Sequence, residues 1–379
     1  MNSIEVVICL ILLFMAVPDW CQKIGRPAII NAVFVVFGFT LGLVAERDVT
    51  TMLIEAGKVG FILVLFEVGL EIDLPPLREF LPPLRFAVAW SLVQYPLLWA
   101  LGAVAGLNLS AGLLAAVAMA SCSVSMAYFG WKHFPGLTGN TRTFVLQIMV
   151  ALEVLAMVVL AVGGALLKQG LGWPILARVA GMAAMIYCIS RFSSHVTKLF
   201  QQIIETTTHW RVHLLVLLVL IICAVGERLG LSASKTAFFL GLFMSRAEFE
   251  HQSIEEIIAP ISRRFLIPIF FVSLGLMVNL RMLVSRAALL ALCGAFLLIG
   301  FREMVHRRWL KTGGDRNTYL LLCPNLTLVA LAATSLLDAG LRDAATWTVL
   351  SGLFLTVAAL ALQPRAHVEN TKPETMAAS

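Results

Sequence analysis

The polar residues able to do chemistry in this sequence are few, and they sit inside long apolar runs. Glu153 lies within residues 144–161, where every neighbour but Gln147 is apolar. At 1.5 Å per residue it falls about 14 Å into a helix that starts at residue 144. No Lys or Arg lies within reach along that run. A charge near the centre of a bilayer costs several kcal/mol, so an ionisable group there is a functional candidate. Binding either a proton or a monovalent cation would leave the carboxyl neutral, and the two ligands would then compete for one site. A protonated Glu kept only for packing is the competing structural reading.

Two further runs are interrupted near mid-depth. Ser121, Ser123 and Ser125 punctuate the run 111–129, and Pro324, Asn325 and Thr327 punctuate 318–337. Proline removes a backbone donor and leaves a carbonyl unpaired. Half-helix ends that face each other would offer carbonyl oxygens to a cation and partial positive charge to an anion. The expected ligand set is Glu153 with Ser123, Asn325 and Thr327, and the expected helix breaks are at Ser121, Ser125 and Pro324. Hydroxyls bonding back to their own helices, with a simple kink at Pro324, would give the same pattern without a site. Glu67 is a secondary candidate for carrying a proton, whereas Glu71, near Arg26, Arg78 and Arg85 at the membrane boundary, reads as structural.

These residues need elements to hold them, and composition says which kind. Of 379 residues 60% are hydrophobic and 13% charged, with a mean hydropathy of +0.91. Soluble domains are about 45–50% apolar and about 25% charged, which excludes a soluble globular fold. A membrane β-barrel would alternate polar and apolar residues, and the runs do not. The sequence predicts an all-α polytopic membrane protein.

Thirteen spans are expected, at 4–20, 28–46, 52–73, 86–106, 111–129, 144–167, 174–190, 212–227, 233–245, 264–280, 285–301, 318–337 and 345–362. The first lacks a basic leader, carries Glu5 and ends in Pro18-Asp19-Trp20, so it does not read as a cleaved signal. Loops after odd-numbered spans, with the tail, hold nineteen Lys and Arg, against six on the other side. The positive-inside rule then puts the N-terminus outside and the C-terminus in the cytoplasm of the cell (inner) membrane. The net charge of +6 is thus a loop asymmetry, and no nucleic-acid partner is expected.

An internal repeat organises the spans. Gly69-Leu70 and Asp73-Leu74 recur as Gly275-Leu276 and Asn279-Leu280, 206 residues on, and Leu-Gly-Leu occurs at 41–43 and 240–242. Seven spans separate the copies, so the halves, about 4–167 and 212–362 with a linker helix at 174–190, have opposite orientation. Inverted repeats with broken helices near the midplane are a transporter architecture. The transmembrane unit is expected over 1–362, with a disordered cytoplasmic tail at 363–379. The seven cysteines show no metal or redox spacing, and no His-Glu-x-x-His, paired aspartates or Ser/His set lies within the spans. Neither an enzyme nor a cofactor is expected.

Four stretches together resemble the monovalent cation/proton antiporter superfamily, on the branch of Kef-type potassium-efflux and related sodium/proton antiporters. They are Lys23–Ile30, Leu65–Glu71, Gly230–Gly241 and Pro268–Gly275, and the likeness spans about residues 5–362. The resemblance implies a thirteen-span inverted-repeat fold, a homodimer in the lipid bilayer, and a secondary active transporter exchanging sodium or potassium for protons. It also implies an elevator-type movement of a core in which the broken fifth and twelfth spans cross beside Glu153. The chain departs from the family in three ways. Leu152-Glu153 stands where relatives carry Asp after a polar residue, and a lone carboxylate favours electroneutral exchange. The interior of the tenth span has no Lys or Arg. The nucleotide-binding regulatory domain of the Kef proteins is not found. Two other functions stay open on the sequence: a non-transporting membrane sensor that keeps the fold, and a sodium-coupled organic-anion carrier.

Overall fold

The computed structural model describes residues 1–71, 77–169, 211–228, 233–245, 248–249, 252–254, 258, 262–309 and 317–364. Among these, nine helical stretches are long and apolar enough to cross a membrane. The first four are α1 (Ser3–Lys23), α2 (Ile30–Val44, led in by a 3-10 turn at Pro27–Ile29), α3 (Arg47–Glu71) and α4 (Leu77–Val104). The fifth stretch is broken into α5 (Leu109–Ala120) and α6 (Val124–Lys132). It is followed by α7 (Gly139–Gln169).

After residue 210 come α8 (Arg211–Arg228), α9 (Ala233–Met244) and α10 (Ile267–Leu276). These three are shorter or more charged than the nine. The chain continues in α11 (Arg286–Arg308), then a 3-10 turn at Thr318–Leu322 that breaks before α12 (Leu326–Asp338), and ends in α13 (Arg342–Leu362). Twelve of the expected spans fall on these elements, while the linker helix at 174–190 and residues 365–379 of the tail lie outside the described residues. The only strand pairing among the described residues is a two-residue rung, Glu248–Phe249 with Gln252–Ser253.

Local chemistry fixes several starts. Asn2 and Glu5 form a reciprocal capping box on α1, with bonds of 3.0 and 2.9 Å. Asn108 caps α5 by accepting from the Ala111 amide at 2.8 Å, and Ser285 caps α11 through the Ala287 amide. The N-terminal ammonium donates to the Val44 carbonyl at 2.7 Å and so closes the end of α2.

The helices form two bodies. α1, α2, α3, α8, α9 and α10 make one, and α4, α5, α7, α11, α12 and α13 the other, with α6 between them against α3, α7 and the 3-10 turn at Pro27–Ile29. The first body is held by close backbone approaches at five glycines, Gly60 against the Leu266 carbonyl and four in reciprocal pairs. A Cβ on Gly38 of α2 would collide with the Val272 carbonyl oxygen of α10, and one on Gly275 with the Val35 carbonyl oxygen. The same pair of contacts recurs between α3 and α9, where Gly241 meets the Phe66 carbonyl and Gly69 the Phe238 carbonyl. Small residues let helices approach this closely in lipid, where packing rather than hydrophobicity drives association.

These reciprocal contacts are the inverted repeat seen in three dimensions, and they correct its register. α3 and α10 correspond at an offset of 206 residues, as the sequence indicates, because Phe66 and Val272 play one role and Gly69 and Gly275 another. In α2 and α9, however, Gly38 corresponds to Gly241, an offset of 203. Aligning Leu-Gly-Leu at 41–43 with 240–242 slips the match by one turn. A four-residue slip keeps a helix face nearly unchanged, which is why the sequence tolerates it.

Candidate functional site

The two broken stretches cross inside the second body. α5 stops at Ala120 and the chain runs extended through Ser121 (φ −81°, ψ 173°) and Ser123 (φ −102°, ψ 117°) before α6 begins. Across from it, Cys323-Pro324-Asn325 separates the 3-10 turn from α12. The breaks thus lie at 121–123 and 323–325, again offset by less than the 206 residues used to pair them in sequence. Ser121 and Pro324 fall in the breaks as expected. Ser125 does not, because it sits in the first turn of α6.

Main-chain atoms stitch the crossing together. The Ser123 amide donates to the Pro324 carbonyl at 2.7 Å, and the Cys122 thiol to the Leu321 carbonyl at 3.2 Å. Asn325 turns its amide nitrogen onto the last carbonyls of α5, Ala118 at 3.1 Å and Met119 at 3.0 Å. Its oxygen accepts from the Thr356 hydroxyl at 3.3 Å. The Asn325 side chain is therefore spent on closing the crossing rather than on reaching Glu153.

Glu153 is fully buried on α7 beside this crossing. Its Oε2 accepts from the Val124 amide, the first N–H of α6, at 2.9 Å. An unpaired amide at a helix start carries partial positive charge, so a carboxylate is well placed there. Its Oε1 has no hydrogen-bond partner. Leaving a buried acceptor unmatched costs about 1–3 kcal/mol, more if charged. Hydroxyls cluster alongside: Ser123 Oγ lies 3.2 Å from Ser125 Oγ and 3.4 Å from Thr327 Oγ1. Of the expected ligand set, Glu153, Ser123 and Thr327 gather here, with Ser125 added and Asn325 removed.

A cavity of about 750 Å³ lies between the two bodies, and two members of this cluster, Ser125 and Thr327, line it. Val124 and Val150 line it as well, and so do Glu67 of α3 and Arg263 from the other body. Glu67, only 4% exposed, accepts from the Ser262 hydroxyl at 3.0 Å and pairs with the Arg263 guanidinium. Lys235 on α9 reaches the Ala161 carbonyl of α7 at 3.3 Å, linking the two bodies.

One residue of the site escaped the sequence. Arg302, assigned there to a loop, lies within α11 and is fully buried. Its Nε donates to Gln94 Oε1 at 2.7 Å, and its terminal nitrogens to the Met119 carbonyl at 2.5 Å and the Leu322 carbonyl at 3.5 Å. Gln94 is itself fully buried and donates to the Trp90 carbonyl at 2.8 Å. The guanidinium thus faces the carbonyl ends of both half-helices while Glu153 faces an amide end, the arrangement that helix-end charges favour. The signal for Arg302 was available: a span of about 20 residues from Ala287 runs past it.

Two broken helical stretches crossing beside a buried carboxyl and next to a cavity are an arrangement found in secondary transporters. The family profile described as sodium/hydrogen exchanger, transmembrane, matches residues 9–364, and the chain belongs to that family. It is 24% identical over 364 residues to a probable Na(+)/H(+) antiporter of Methanocaldococcus jannaschii, covering 91% of this chain and 89% of the relative. A Na(+)/H(+)-K(+) antiporter, GerN, of Bacillus cereus is 24% identical over 68% of this chain and 67% of its own. The solved sodium proton antiporter MjNhaP1 of Methanocaldococcus jannaschii superposes with a TM-score of 0.69 at 16% identity, covering 95% of both chains. The fold is accordingly that of the sodium/proton antiporters.

Proposed function

We propose that this protein exchanges a monovalent cation, sodium or potassium, for protons, with Glu153 as the shared binding site. The observation that carries this reading is the unmatched Oε1 of Glu153, buried near three hydroxyls, two of which line the cavity. Glu153, Ser123, Thr327 and Ser125 supply the oxygens. Proton and cation compete because both neutralise the same carboxylate, and a single carboxylate gives one-for-one, electroneutral exchange. The potassium option is kept open by the relative named for both ions.

Movement is assigned to the body that carries Glu153, sliding as an elevator against the glycine-packed body. The cavity lining includes Glu67 and Val68 near the C-terminal end of α3 and Tyr128 and Phe129 on α6, ends that we assign to the cytoplasmic side from the Lys/Arg asymmetry. The N-terminus is then outside, in the cell membrane, and the working unit is a homodimer. Glu67 is paired with Arg263, so we assign it to the cavity wall, where it screens that arginine's charge from incoming cations, rather than to carrying a second proton.

The test is proton flux in proteoliposomes with a lumenal pH dye, on adding sodium, potassium or lithium, for wild type and Glu153→Gln. Cation-dependent flux that the substitution abolishes supports the assignment. Flux that survives in Glu153→Gln moves the site elsewhere. No flux with any cation favours a sensor that has kept the fold.

A further inference from the structure

Arg302 is a permanent cation inside the body assigned to move, and no carboxylate pairs with it among the described residues. Its three partners, Gln94 Oε1 and the Met119 and Leu322 carbonyls, are all formally neutral. Glu153, the one other fully buried charge there among the described residues, bonds to Val124 and not to Arg302, and Glu303, next to Arg302 on α11, pairs with Arg307. Residues such as Lys132, Arg286, Arg308 and Asp338 sit at helix ends, near the membrane surfaces. Arg302 instead lies about 9 Å inside the Arg308 end of α11 at 1.5 Å per residue, and its head reaches the helix breaks.

Formal charge therefore does not cancel in the loaded core. When Glu153 holds a proton or a monovalent cation the carboxyl site is neutral, and Arg302 leaves +1 in both loaded forms. That +1 crosses once in each direction per cycle, so exchange stays electroneutral overall. Each crossing nonetheless moves charge through the membrane field, and the field changes how fast it happens. We propose that Arg302, positioned by Gln94, makes the turnover rate of exchange depend on membrane potential although no net charge is transported. This rests on the exchange reading above and on the movement of that body.

Gln94→Glu tests it with almost no change in shape. A carboxylate at 94 would pair with Arg302 and bring the loaded core to zero charge, so the dependence on potential should flatten. Gln94→Leu removes the anchor without altering charge, so turnover should fall while the dependence on potential remains. The measurement is sodium-driven proton flux in giant proteoliposomes under a patch electrode, with fixed ion gradients, at 0 and ±100 mV.

One charge moved through part of the field should change the wild-type rate by roughly twofold or more over 100 mV, with no steady transport current. Wild-type flux that is equal at all three potentials overturns the inference, and so does a Gln94→Glu variant as voltage-dependent as wild type. Absence of flux at 0 mV, or flux that survives Glu153→Gln, overturns the exchange reading instead and is visible before any potential is applied.

Discussion

The Val124 amide and Glu153 Oε2 are joined by a 2.9 Å hydrogen bond that ties the start of α6 to the middle of α7. One carboxyl oxygen is thereby fixed in direction, which leaves the other free to meet a ligand. On the proposed reading the bond also couples ligand binding to the position of a half-helix, because pulling Oε1 toward a cation loads the Val124 amide.

Shortening the side chain by one carbon should weaken that coupling without removing the charge. Charge-assisted hydrogen bonds contribute about 1.5–3 kcal/mol. Glu153→Asp is expected to raise the KM for the cation by about tenfold while exchange persists. Glu153→Gln is expected to abolish exchange. Flux titrations over cation concentration separate the two variants.

Asn325 offers a test of the crossing itself. Replacing it with Ala leaves the Ala118 and Met119 carbonyls without their donor, and Asp would set a carboxylate against them. Asn325→Asp is expected to be the worse of the two, with both lowering thermal stability in detergent and transport rate together. A rate loss at unchanged stability would instead place Asn325 among the cation ligands.

Overpacking a helix contact costs about 1–3 kcal/mol. Gly38→Val and Gly241→Val are expected to lower the unfolding temperature by similar amounts, because they occupy equivalent places in the two halves. Gly300→Ala, which meets nothing within 4 Å, should be close to neutral. Fluorescence-monitored size exclusion after heating gives the comparison directly.

Glu67 and Arg263 flank the cavity as an ion pair, with the arginine half-exposed. Exposed pairs contribute about 0.2–1 kcal/mol. Glu67→Gln is expected to raise the cation KM a few-fold and to leave the proton-to-cation ratio at one. A change in that ratio would give Glu67 a proton of its own.

Much of this was legible in the sequence because lipid makes long apolar runs and isolated polar residues conspicuous. Glu153, the serine-rich break and the Pro324 break could all be found by depth and type. Directions could not. Whether Asn325 faces the carboxyl or the α5 carbonyls depends on how two breaks cross, and nothing local to Asn325 encodes that. Glu67 and Arg263 are 196 residues apart, so their pairing follows only from packing α3 beside α10. Arg302 was misplaced because a basic residue near a span end reads as a loop. A full span of about 20 residues from Ala287 carries α11 past it, and the structure continues the helix to Arg308.

The crossing is written mostly in backbone atoms: a Pro324 carbonyl, a Ser123 amide, and the carbonyls of Ala118, Met119, Leu321 and Leu322. Backbone atoms are supplied by every amino acid. The hydroxyls at Ser123, Ser125 and Thr327 can therefore be exchanged for other polar groups while the frame that presents them persists. On the proposed exchange, ion preference becomes an adjustable setting on a fixed chassis, open to redesign one side chain at a time.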